Sequence, residues 1–137
     1  MCFKQWLFIC LFRVSRGVRQ GCLLSPYLFI TCTEILCALI KSSQVIKGIS
    51  ISGESLKISQ YADDTVIITD GSESSLQEVM NVLQLFCISS GLKINSEKSH
   101  LFLLGPLFEH HPVYLTQFNF DAHATVIKYL GISFFSP

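Results

Sequence analysis

Charge is the scarcest property of this sequence. Only 15% of its 137 residues are Asp, Glu, Lys or Arg, and the formal net charge is +0. Neutrality removes any whole-molecule attraction to nucleic acid or to an acidic surface. Local attraction survives, because the few charges are clustered. Arg13, Arg16 and Arg19 are the only arginines, and Asp63 and Asp64 are the only adjacent acids. Zinc-type pairing is also absent: Cys2, Cys10, Cys22, Cys32, Cys37 and Cys87 do not form the two short-spaced pairs of a zinc site. Several lie in apolar runs, where a free thiol acts as a small hydrophobe. They read as reduced, which places the chain inside the cell, in nucleus or cytoplasm. His110 and His111 lack the paired cysteines or acid spacing of a metal site.

No stable membrane span is expected either. The apolar run at residues 6–12 is too short to cross a bilayer as a helix. Arg13 and Arg16 follow it without a small-residue cleavage pattern, so a buried strand or helix start is preferred to a signal peptide. Internal repeats, low-complexity tracts and long alternating βα units are all missing, and the last of these disfavours a parallel nucleotide-binding sheet.

What the chain does have is apolar surface. Half its residues are hydrophobic, which is high for a free-standing domain of this size. An excised piece of a larger protein would look like this, with faces meant for absent neighbours. The length suits one domain with a real core.

The pattern predicts an α+β fold, an antiparallel sheet packed with two helices. Residues 13–21 read as a basic, glycine-containing loop. Ser25 before Pro26 gives a helix start over residues 25–41, with Leu28, Cys32, Ile35, Leu36 and Leu39 at helical spacing. Residues 45–52 read as a strand, Gly53-Glu54 as a turn, and a second strand runs from Leu56 to Tyr61. Residues 65–69 are strongly β-prone, so the two aspartates should sit at a hairpin bend. Residues 74–90 form the second helix, with capping-box pairs Ser74/Gln77 and Ser75/Glu78. Its stripe is Leu76, Val79, Met80, Leu83 and Cys87, and Gly91 is its left-handed stop. Residues 92–95 and 99–104 look like short strands, 105–112 like a loop, and 126–134 like a last strand.

Tyr61-Ala62-Asp63-Asp64 is the sharpest chemical feature. Phosphoryl transfer uses divalent metals to hold phosphates and activate the attacking oxygen. Magnesium prefers carboxylate oxygens and keeps several waters, so one or two placed acids per ion suffice. A tight β bend can hold two such acids rigidly. The competing reading is a pair of turn-favouring aspartates on a surface hairpin.

Three further blocks accompany it. Arg16-Gly17-Val18-Arg19-Gln20-Gly21 leads into Ser25-Pro26-Tyr27-Leu28-Phe29. Gly91-Leu92-Lys93-Ile94-Asn95 is followed by Lys98-Ser99, and Lys128-Tyr129-Leu130-Gly131-Ile132 lies near the end. In this order the four blocks resemble the later palm motifs of reverse transcriptases, most closely those of LINE-type (non-LTR) retroelements. Ile46-Lys47-Gly48-Ile49 and Asp70-Gly71-Ser72 fit the same family. The resemblance covers residues 12–104 and 128–132. It divides the chain into an unmatched apolar start, 1–12, and a partial palm domain, 13–137, ending near the primer-grip-like strand.

The resemblance implies roles. Asp63 would be the principal metal ligand and Asp64 its lesser neighbour, for magnesium or manganese in its place. Arg19, Gln20 and Gly21 would border the incoming nucleotide. Lys98 would protonate departing pyrophosphate. Tyr129, Leu130 and Gly131 would steady the primer end. RNA template and DNA primer would be the partners. Glycine at position 21 independently permits close backbone approach, and the arginine group suits phosphate.

Two departures go with it. Leu23 stands where the family usually has proline. The family's further metal-binding aspartate belongs to an earlier strand, whereas residues 1–12 contain no Asp or Glu. The expectation is therefore a palm fragment that needs a fingers-palm segment to complete its site and is inactive alone. The alternatives are a catalytically dead remnant that binds nucleic acid or protein, and a small membrane-associated protein.

Overall fold

The computed structural model describes residues 21–105, 112–118, 120 and 126–135. Two helices of equal length dominate: α1 (Ser25–Ser42) and α2 (Glu73–Ser90). Between them lie β1 (Ile49–Ile51), β2 (Glu54–Leu56), β3 (Ile58–Tyr61) and β4 (Asp64–Ile67), and after them β5 (Val126–Tyr129) and β6 (Ile132–Phe135). The strands pair as three separate antiparallel hairpins, β1–β2, β3–β4 and β5–β6. The expected α+β class holds, with its sheet divided into two-stranded ladders. The basic loop segment at 13–20 and the unmatched start at 1–12 lie outside the described residues.

The core sits where the helices meet the first strands. Leu36, Cys37 and Ile40 of α1 pack with Val79, Val82 and Phe86 of α2, together with Ile46 and Ile58. Each set recurs at helical spacing, which is why both segments coil: one stripe leaves water. Of the expected α1 stripe, Leu28 and Ile35 stay exposed. The α2 stripe is centred one position away from the expected one, on Ser75, Val79, Val82 and Phe86, with Leu76, Met80, Leu83 and Cys87 half-buried at its flank.

Ser75 explains the shift. It is fully buried, donates to the Val45 carbonyl at 3.1 Å and accepts from Lys47 N–H at 3.2 Å. A buried hydroxyl with both partners satisfied costs little, and this one stitches α2 to the segment before β1. The same bonds correct the strand expected at 45–52, which forms only from Ile49. Val45 and Ile46 donate to the Ser43 hydroxyl, and Lys47 uses both its backbone groups on Ser75 and Asp70, so these groups are not free for a ladder. Gly48 leads into β1, at a point where a Cβ would strike the Leu56 carbonyl.

The helix caps also differ from expectation. Ser25 is inside α1, with Leu24 at the cap and no capping side chain. At the other end Lys57 Nζ donates to the carbonyls of Lys41 (3.2 Å) and Ser43 (2.6 Å), a cation on the negative helix terminus. Ser72 caps α2, accepting from Ser75 N–H, so neither expected capping box forms. Gly91 closes α2 in the left-handed conformation, as expected.

Residues 92–104 build no ladder of strand length. The Asn95 side chain accepts from Glu97 and Lys98 N–H and winds Ser96–Lys98 into a 3-10 turn. The last expected strand is a hairpin, because Leu130 (φ 48°) and Gly131 (φ 84°) reverse the chain. Positive φ at both central residues is the type I′ turn that suits strand twist. A second 3-10 turn, Val113–Gln117, is tied to the start of α2 by Tyr114 Oη donating to the Gly71 carbonyl at 2.6 Å.

Candidate active site

The β3–β4 hairpin presents the acids. Its register pairs Ile58 with Ile67, Ser59 with Val66, Gln60 with Thr65 and Tyr61 with Asp64. Side chains alternate, so Ile58 and Gln60 lie on one face and Ser59 and Tyr61 on the other. The first face is anchored. Ile58 enters the core, and Gln60 accepts from the Cys37 thiol of α1 at 2.7 Å while donating to Thr65 Oγ1 at 3.2 Å. Burial pushes the Cys37 thiol up, with Glu34 adding to the rise and Lys41 opposing it. The opposite face carries Tyr61 and Asp64, both exposed.

The bend itself is Ala62-Asp63. Ala62 has φ 53° and Asp63 has negative φ, the mark of a type II′ turn. Its first central position normally holds glycine, so alanine is strained there. Asp63 thus sits at the tip and Asp64 begins β4; both carboxylates are exposed and, among the described residues, make no hydrogen bond or ion pair. A groove of about 310 Å³ between α1 and β3 reaches the bend, lined by Phe29, Thr33, Glu34, Lys41, Gln60 and Ala62 among others.

The other expected residues fall in three places. Gly21 is exposed with φ +80°, and among the described residues nothing stands within 4 Å of where a Cβ would be. Gln20 and Arg19 lie outside the described residues. Next to Gly21, the exposed Cys22 thiol is held below its ordinary value by the Leu24 N–H and the Ser25 side chain. Lys98 is exposed on its 3-10 turn and makes no hydrogen bond or ion pair with either aspartate. Tyr129 ends β5, and Leu130-Gly131 form the turn after it. Tyr129 is brought to the acidic hairpin: its Oη lies 3.1 Å from Ser59 Oγ. Ser59 was not singled out by the sequence, and its only signal there was its place two residues before Tyr61.

A magnesium ion fits two adjacent, exposed carboxylates on one side only. Among the described residues no third His, Cys, Asp or Glu joins them in a metal-sized group.

The profile of the reverse transcriptase (RNA-dependent DNA polymerase) family matches residues 4–134. This chain belongs to the reverse transcriptase family. The chain is 37% identical over 102 residues to an uncharacterized mitochondrial protein of Arabidopsis thaliana, covering 68% of this chain and 80% of that one. It is 34% identical over 90 residues to the retrovirus-related Pol polyprotein from type-1 retrotransposable element R2 of Popillia japonica, covering 63% of this chain and 12% of the polyprotein. To the transposon TX1 uncharacterized 149 kDa protein of Xenopus laevis it is 28% identical over 132 residues, 93% of this chain and 10% of that protein. The chain spans about a tenth of the length of these two retroelement proteins. The reverse transcriptase is thus of the non-LTR retrotransposon kind, and its two helices with small antiparallel sheets are a partial polymerase palm. No helix among the described residues is long and apolar enough to cross a membrane.

Proposed function

We propose that this reverse transcriptase segment supplies the aspartate-hairpin half of a metal-assisted nucleotidyl-transfer site for RNA-templated DNA synthesis. The observation that carries it is the pair Asp63-Asp64, exposed and without a partner among the described residues, on a bend whose other face is anchored in the core. Charge left free on a rigid support is what a metal site requires before the metal arrives.

Asp63 and Asp64 are the residues that would hold magnesium, or manganese in its place. Such an ion, when bound, stabilises the attacking and leaving oxygens of an in-line displacement. Asp63 at the tip has the wider reach and Asp64, fixed by pairing with Tyr61, the narrower. Arg19, Gln20 and Gly21 are assigned to the incoming nucleotide, with Gly21 leaving its backbone open to close approach. Lys98, an exposed ammonium, is assigned to proton donation toward departing pyrophosphate. Tyr129, Leu130 and Gly131 are assigned to the primer end. The location that accompanies this reading is intracellular, in nucleus or cytoplasm.

Both acids approach from one bend, so the opposing ligand comes from another segment. The test is primer extension on an RNA template with magnesium or manganese. The chain alone is expected to give no extension. Adding a fingers-palm segment that carries an aspartate is expected to give extension that Asp63→Ala abolishes. Extension by the chain alone that Asp63→Ala removes would overturn the half-site reading, and extension that survives Asp63→Ala would overturn the role of the hairpin.

A further inference from the structure

The β5–β6 hairpin is held in place by little. None of its eight strand residues is buried, and Ile132 and Phe135 are 62% and 69% exposed. A lone two-stranded hairpin is marginal in water. Among the described residues a single hydrogen bond joins it to the rest of the molecule, the 3.1 Å bond between Tyr129 Oη and Ser59 Oγ, 70 residues apart in sequence. Both side chains are half-buried, so water competes for the bond less than it would at an exposed site.

The position of Ser59 gives the bond its meaning. Ser59 and Tyr61 share a face of β3, and the register sets Val66 and Asp64 opposite them on that face. The bond to Tyr129 is therefore made on the face that carries Asp64, two register pairs in from the acid. Tyr129 in turn immediately precedes the Leu130-Gly131 turn. We infer that Ser59 is a positioning residue: its hydroxyl, paired with Tyr129, sets where the Leu130-Gly131 turn stands relative to Asp64. What that spacing serves, holding a primer end beside the acids, rests on the proposed polymerase reading.

Hydrogen exchange on the full chain tests the tether without nucleic acid. Ser59→Ala and Tyr129→Phe are expected to speed exchange of peptides covering 126–135 by about fivefold, the factor for one typical hydrogen bond. Peptides covering α2 keep the wild-type rate. Ser59→Thr keeps a hydroxyl on a strand-favouring side chain and restores protection. Unchanged exchange at 126–135 in Tyr129→Phe overturns the inference, as does a rise shared equally by α2, which would mean a loss of stability only. A second arm uses a DNA primer, with a photoreactive base at its 3′ end, annealed to an RNA template. Crosslinks to both 58–67 and 126–135 are expected in the wild type, with the share at 126–135 falling in Tyr129→Phe. An unchanged share overturns the positioning role. A wild-type chain that crosslinks at neither hairpin overturns the polymerase reading, and hydrogen exchange alone then decides whether the tether exists.

Discussion

Ala62 shows what one residue of a motif can conceal. The sequence tells that Tyr61 to Asp64 cross a bend, because β-prone runs flank the acids. It does not tell the sign of a dihedral angle, which depends on the turn type chosen by the twist of the two strands. At φ 53° the alanine methyl stands against its own backbone, a conformation that costs L-residues about 1–2 kcal/mol. A β-branched side chain is worse there. Ala62→Val is expected to destabilise the chain by about 1–2 kcal/mol beyond the wild type, and Ala62→Gly is not. Urea midpoints measure the order; a valine variant as stable as the glycine variant would contradict a positive φ at this position.

Among the elements, the helices were legible and their edges were not. Periodic apolar residues announced α1 and α2, and the ends came within a residue or two of expectation. Which serine caps α2 was hidden, because three stand in a row of candidates (Ser72, Ser74 and Ser75) and burial decided among them. Ser75 is taken by Lys47 and Val45, leaving Ser72 to cap. The strands expected at 92–104 failed for a related reason: Asn95 offers its own carbonyl to the backbone, an option that apolar alternation cannot reveal. The single strand expected at the end hid a turn, since Leu130 is an unusual residue for positive φ.

The entry to α2 also predicts a pH effect. Burial opposes charge on Asp70, but hydrogen bonds from the Ser72 hydroxyl and N–H, aided by Lys47, outweigh it and hold the carboxyl below its ordinary value. A folded-state value below the unfolded one means stability that is present above the ordinary carboxylate range. It is lost as pH falls through the folded value. Asp70 is exposed, so the contribution is small, about 0.5 kcal/mol. Asp70→Asn is expected to lower Tm slightly at pH 7 and to flatten its fall below about pH 4. Thermal melts across pH 3 to 7 check this, and parallel curves for the two proteins would rule the effect out.

For the whole molecule, the family was legible from four ordered motifs, while the assembly of the site was only partly so. The acids and Tyr129 are brought together through Ser59. Lys98 makes no hydrogen bond or ion pair with them, and Arg19 and Gln20 lie outside the described residues. Any attraction for nucleic acid must be local, since the net charge is +0. Primer-template binding is expected to be weak and to fall as salt rises, with a slope of about 2–3 phosphates' worth of counterions from Arg13, Arg16 and Arg19. Fluorescence anisotropy over a salt series measures it. A slope that survives replacement of all three arginines would place the contact surface elsewhere.

The division of the strands into three hairpins bears on how such a sequence can change. Each ladder closes on itself, and among the described residues no strand pairing passes from one hairpin to the next. A residue inserted into a continuous sheet slips the register of every strand beyond it and turns side chains to the wrong face. Here an insertion at a joint, such as the stretch between α2 and β5, leaves the register of each of the three hairpins unchanged. The acidic hairpin and the hairpin bearing Tyr129 can therefore drift apart along the chain and still meet in space, provided two hydroxyl groups survive.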